Sequence, residues 1–151
     1  MGYLAPWSSA QNAAWSVNMD AITSNNAAAF GARFNGFNDA LIRKVEIAYA
    51  SDGTRSVSAL IAAHDAEQPS NDGWSLVSLR VSDVKQFRFC EEAKSSAQVL
   101  SNGLHVCWFG GSVGLEFGDY IDAPENLEDF LGSKLFALGN VLHFSVSDYE
   151  P

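Results

Sequence analysis

The sequence predicts an α+β fold: an N-terminal helical segment, then a large antiparallel meander sheet of about seven strands, with one short helix near residues 123–131 before the last strands. Three observations carry this. Apolar residues change from helical spacing to strict alternation just after Asp39. Turn signals then recur at Asp52-Gly53, Asn102-Gly103, Gly110-Gly111 and Gly139-Asn140, too closely spaced for the long crossovers that parallel strands need. Finally, a chain of 151 residues reads as one domain (1–151) able to bury about two-thirds of its unfolded surface without staples.

Taken in order, Trp15, Met19 and Ile22 fall at i, i+4 and i+7 and offer one apolar helical stripe. Ala27–Ala29 favour helix, while Asn25-Asn26 and Gly31 punctuate it, so residues 1–33 are expected to be helix and loop and 34–151 the sheet region. Val45, Ile47 and Tyr49 alternate with Lys44, Glu46 and Ala48, as in a half-buried strand. The Asp52-Gly53 turn leads back through Val57, Ala59 and Ile61 to complete a hairpin. Val77, Leu79 and Val81 form the buried side of a third strand, and a bulge or tight turn near Asp83 precedes Phe87 and Phe89. Asn102-Gly103 and Gly139-Asn140 read as hairpin turns, and Gly110-Gly111 as a third reversal. In the short helix, Asp122 is the expected cap with Glu125 completing a capping box. Pro124 fits the first turn, and Gly132 ends it. Leu142, Phe144 and Val146 face inward on the last strand, leaving His143 outward.

Nine basic against eighteen acidic residues give a net charge of −9, the wrong sign for coating phosphates, so nucleic acid is excluded as a partner. Residues 116–151 hold Glu116, Asp119, Asp122, Glu125, Glu128, Asp129, Asp148 and Glu150 against Lys134 alone. Such an acidic end keeps a protein soluble and can steer a basic partner in. There is no basic start or apolar run of signal-peptide length, no myristoylation pattern, and no membrane-spanning stretch, so a cytoplasmic protein off the membrane is expected. Cys90 and Cys107 lie in strand-like runs and read as two buried thiols rather than a disulfide framework or a zinc site.

The sequence offers no catalytic constellation and calls for no cofactor or metal. The glycines of "FGGSVGLEFG" precede a strand instead of a helix, so they are turn residues, not a phosphate loop. His64-Asp65 looks like a general-base pair, but neighbouring strand residues point to opposite faces. The residue types that could line a ligand site are Asp39, His64, His105, Trp74 and Trp108. Those that could meet a basic protein are Glu116, Asp119, Asp122, Glu125, Glu128 and Asp129. Asn38-Asp39 is chiefly a turn: both types bond their own backbone, and Phe37 can anchor them.

The pattern F-N-D-A-x-I-x-x-V-x-I-x-Y from Phe37 to Tyr49, with "VSLRVSDVKQFRF", "VLSNGLHVCWF" and "LEFGDYIDAPENLEDFLGSKLF", resembles a group of small, mostly uncharacterised bacterial proteins. Some of these are encoded like immunity proteins of contact-dependent toxin systems. Asn38 stands where the group commonly has His. The resemblance implies an antiparallel α+β fold and brings no catalytic residue. A non-catalytic protein-binding domain, immunity-like and neutralising a basic partner, is therefore the first expectation. A subunit pairing with its own copy through a sheet edge comes second, and a small-molecule site or enzyme at the Asn38-Asp39 corner last.

Overall fold

The computed structural model describes residues 19–151, and within them the antiparallel α+β class holds. Ten strands form two sheets. Strand β1 is Asp20–Ile22, and helix α1 is Ala27–Arg33. Then come β2 Ala40–Tyr49, β3 Arg55–His64, β4 Trp74–Ser82, β5 Gln86–Phe89, β6 Val99–Leu100, β7 His105–Phe109 and β8 Ser112–Glu116. Helix α2 is Leu127–Leu131, followed by β9 Leu135–Gly139 and β10 Val141–Asp148. The larger sheet runs β1-β10-β4-β3-β2-β6 and the smaller β5-β9-β8-β7.

The two sheets share one core. Val57, Ala59 and Ile61 from β3 and Val77, Leu79 and Val81 from β4 meet Val113, Leu115 and Ala137 of the smaller sheet. Alternation in the sequence located the β3 and β4 residues correctly, because the side-chain period of a strand is two. Helix α1 and the turn after it add Phe30, Phe34 and Phe37, with ring centroids 5.2–5.5 Å apart. At that spacing aromatic rings pack favourably beyond their buried area.

Several local expectations are corrected. Trp15 of the apolar stripe lies outside the described residues, and Ile22 is in a strand paired with Leu142, not in a helix. A free sheet edge overrode the helical spacing. Asn102-Gly103 does not close a hairpin: β6 pairs with β2, while β7 pairs with β8 in the other sheet. Gly139-Asn140 likewise passes from one sheet to the other. Here β4 and β10 pair in the larger sheet and β5 and β9 in the smaller, so two chains cross side by side. Asp83, at φ 53°, makes the bend on the outgoing chain, and the Asn140 N–H donates to the Ser82 carbonyl at 2.9 Å. Helix α2 is capped by Asn126, whose Oδ1 accepts from the Asp129 N–H at 2.8 Å, not by Asp122. Asp122 and Pro124 precede that cap.

The Asn38-Asp39 corner is a backbone device. Asn35, Gly36, Phe37 and Asp39 all take positive φ, between 54° and 63°, and Asn38 Nδ2 closes the turn on the Asn35 carbonyl at 2.8 Å. Gly103 packs on this corner. A Cβ there would stand 2.3 Å from the Gly36 carbonyl oxygen, and φ is 72°, so only glycine fits. The Leu104 N–H donates to that same carbonyl at 3.0 Å. Gly118 then packs on the Gly103 carbonyl, at 2.5 Å from its own missing Cβ. Three close approaches thus connect the first corner to the loop over the smaller sheet.

Candidate functional site

The β7–β8 hairpin sets His105 directly opposite Glu116, and the row continues through Phe136 of β9 to Arg88 of β5. This face of the smaller sheet points away from the shared core and is roofed by residues 117–134. Phe130 of α2 lies on Gly114, whose absent Cβ would be 2.5 Å from the ring. Phe130 also packs with Cys107, Phe136 and Leu138. Gly114 is therefore the seat of the helix.

Under this roof Glu116 is 0% exposed. Its Oε2 accepts from the Asp119 N–H and the Ser133 hydroxyl, each at 2.8 Å. Its Oε1 has no hydrogen-bond partner and stands 3.8 Å from His105 Nε2. That nitrogen is 3.1 Å from the Tyr120 carbonyl oxygen. A carbonyl only accepts, so Nε2 carries the proton. Burial pushes the Glu116 carboxyl above its ordinary range, and the Ser133 hydroxyl, the Asp119 N–H and His105 offset this only in part. The Cys107 thiol is pushed up to about 11, first by burial and then by Glu116, which makes it inert. Buried to this degree, the Glu116 carboxyl works as a fastening for the roof rather than as a group that meets substrate.

The outer side of the roof has a different character. Asp119, Asp122, Glu125, Glu128 and Asp129 are all exposed, and no basic residue occurs between Glu116 and Lys134. Ile121 is 78% exposed and Leu127 41%. The roof is held from within: the Tyr120 hydroxyl donates to the Asp129 carbonyl at 2.7 Å, and the Lys134 N–H donates to Asp119 Oδ2 at 2.9 Å. Of the six acids expected at a partner surface, Glu116 is excluded by its burial and the other five share one roof.

The residues expected around a ligand are not brought together. Asp39 is exposed, its N–H donates to the Leu100 carbonyl at 2.9 Å, and its carboxylate makes no hydrogen bond among the described residues. His64 is on the outer face of the larger sheet, its ring 4.2 Å from that of Trp74, with Tyr149 6.2 Å from Trp74. His105 and Trp108 belong to the other sheet. Asp65 is turned inward and committed: its two oxygens accept from Arg33 Nε and Nη2 at 2.9 and 3.1 Å, with the Ser75 hydroxyl at 2.8 Å and the Glu67 N–H at 2.9 Å. Burial pushes the Asp65 carboxyl up, but these donors outweigh it and hold the acid below its ordinary range. His64 therefore has no carboxylate behind it. Cys90 is exposed, against expectation, because it follows the end of β5; Cys107 is buried as expected.

Beside the roof, Cys90, Glu91, Glu92, Asn102, Asp119 and Lys134 help to line a cavity of about 320 Å³. Among the described residues no three His, Cys, Asp or Glu side chains are grouped to hold a metal ion, and no helix is long and apolar enough to cross a membrane. Ser133 and Arg33 were not singled out from the sequence; neither stands in a motif. The His105–Glu116 pairing was accessible, since both lie the same distance from the Gly110-Gly111 turn. No family model matches the chain, and no curated protein or solved structure matches it either.

Proposed function

We propose that this chain is a non-catalytic binding protein that docks on a basic protein partner through the roof of its smaller sheet, in the manner of an immunity protein neutralising a toxin. One observation carries the reading: Ile121 and Leu127 stand exposed among five acids with no base between them. Acids steer a basic partner in and set the association rate, while apolar side chains inside the charged ring supply the burial that slows dissociation. The chain's net charge of −9 favours a basic protein over any nucleic acid. Against a nuclease toxin, the carboxylates would occupy the positions of phosphates.

The test is co-expression with the product of the adjacent gene, followed by measured association. Expected is a one-to-one complex whose association rate falls roughly tenfold or more when Asp122, Glu125 and Glu128 are together changed to Lys, and also falls with added salt. Ile121→Ala and Leu127→Ala should act instead on the dissociation rate. A neighbouring product that neither binds nor is inhibited, or a complex indifferent to all five substitutions, rejects the reading.

A further inference from the structure

We infer that the outer edge of β2 is a self-association site, at which two copies pair antiparallel about a two-fold axis at Ile47 and each places Tyr49 in a cavity of the other. This site is separate from the acidic roof, and either can fail without the other. Strand β6 covers β2 only at Ala40 and Leu41, and Gln98 takes the Ile42 N–H at 2.8 Å. From Arg43 to Tyr49 that edge has no strand beside it among the described residues.

The backbone phase fixes which residues can pair. The Ala50 N–H donates to the Thr54 carbonyl, and Ala48, Glu46 and Lys44 oppose Ser56, Ser58 and Leu60. Narrow hydrogen-bonded pairs recur every second residue. Lys44, Glu46 and Ala48 thus turn their N–H and C=O groups toward β3, and Val45, Ile47 and Tyr49 turn theirs outward. On this outward set Ile47 is 39% exposed and Tyr49 70%, an apolar edge of the kind that recruits another strand.

Centring the axis on Ile47 pairs it with its own copy and sets Val45 opposite the second copy's Tyr49. Val45, Arg43, Phe89, Ala97 and Gln98 are among the residues lining a cavity of about 390 Å³ beside this edge, and side-chain alternation puts Tyr49 and Val45 on the same side of the sheet. The lining is mixed, so the ring meets Ile42, Val45, Phe89 and Ala97 while its hydroxyl is placed near Glu91, Ser96 and Gln98 of the 91–98 loop. Charges agree as well: the Arg43-Lys44 end of each copy approaches the Asp52 turn of the other, and each Glu46 faces Ala48. An axis at Glu46 would instead set two carboxylates face to face, which is unfavourable.

Light scattering and sedimentation of the full chain test this. A dimer at roughly 10–100 µM is expected, with its dissociation constant raised about tenfold or more by Ile47→Lys or Tyr49→Asp. In a Cys90→Ser background, Ile47→Cys should join two copies through a short bismaleimide, which reads the axis even if the charged variants fold poorly. A monomer throughout that range, a dimer unmoved by both substitutions, or failure of the cross-link overturns the inference.

Discussion

His105 and Glu116 face each other across the β7–β8 ladder, with Nε2 and Oε1 3.8 Å apart and the carboxyl wholly buried. Because burial raises the Glu116 carboxyl, the native protein keeps its proton at pH values where the unfolded chain has lost it. Stability therefore falls as pH rises from about 4.3, the unfolded value, to the raised native one. Glu116→Gln leaves one oxygen to accept from Asp119 and Ser133 and removes the charge. Urea midpoints for Glu116→Gln should show this fall flattened, the variant gaining on the parent as pH rises. Glu116→Ala leaves both donors unpaired in a cavity and should cost about 2–4 kcal/mol.

Asp65 gives the opposite sign. Its carboxyl is held below the ordinary range, so it contributes stability that is present above about 3.9, the unfolded value, and is lost as pH falls through the native one. Asp65→Ala leaves Arg33 Nε and Nη2, the Ser75 hydroxyl and the Glu67 N–H without their acceptor, while Arg33 Nη1 keeps the Glu67 carboxylate at 3.1 Å. Removing one partner of a buried pair costs about 3–5 kcal/mol. Arg33 keeps 26% of its side chain in water, which puts the expected loss near the lower figure. Denaturant curves at neutral and acid pH check this: the gap between parent and variant should close as the solution is acidified.

Some of this was legible in the sequence and some was not, for definite reasons. A two-residue turn fixes which residues oppose one another, so Gly110-Gly111 already set His105 against Glu116. Its burial was not legible, because it depends on residues 117–134 folding back, and there the charge pattern pointed to solvent. The inward faces of β3 and β4 were readable from alternation alone. The two sheets were not, because Asn102-Gly103 and Gly139-Asn140 have the local chemistry of hairpin turns. What separates the strands is remote pairing, such as the Ile42 N–H on the Gln98 carbonyl. The cap of α2 went to Asn126 for a nearer reason: its side chain lies three residues before the Asp129 N–H, whereas Asp122 is too far upstream to reach the first turn.

Gly103 and Gly53 separate conformational strain from steric collision. Both have positive φ, 72° and 89°, but a Cβ on Gly53 meets nothing within 4 Å while one on Gly103 meets the Gly36 carbonyl oxygen at 2.3 Å. Gly53→Ala should cost about 1–2 kcal/mol, from left-handed strain alone. Gly103→Ala must also displace backbone at the Asn35–Asp39 corner and should cost clearly more, about 3 kcal/mol or above. Thermal melts of the two variants decide the matter. Equal losses would mean that the corner and the 102–103 turn do not press on each other.

The two thiols should differ by orders of magnitude in reactivity. Cys90 is exposed at the end of β5, and Cys107 is buried under α2 with its thiol pushed up to about 11. The thiolate is the reacting species, and burial also bars the reagent. Titration with a thiol-specific chromophore should release about one equivalent quickly from the native protein, all of it abolished by Cys90→Ser. The second equivalent should appear only with unfolding. Gly114→Ala, which drives Phe130 off its seat, should expose Cys107 without global denaturation and make its labelling fast. Slow Cys107 labelling in that variant, with the fold intact, would show that α2 holds its place independently of Gly114.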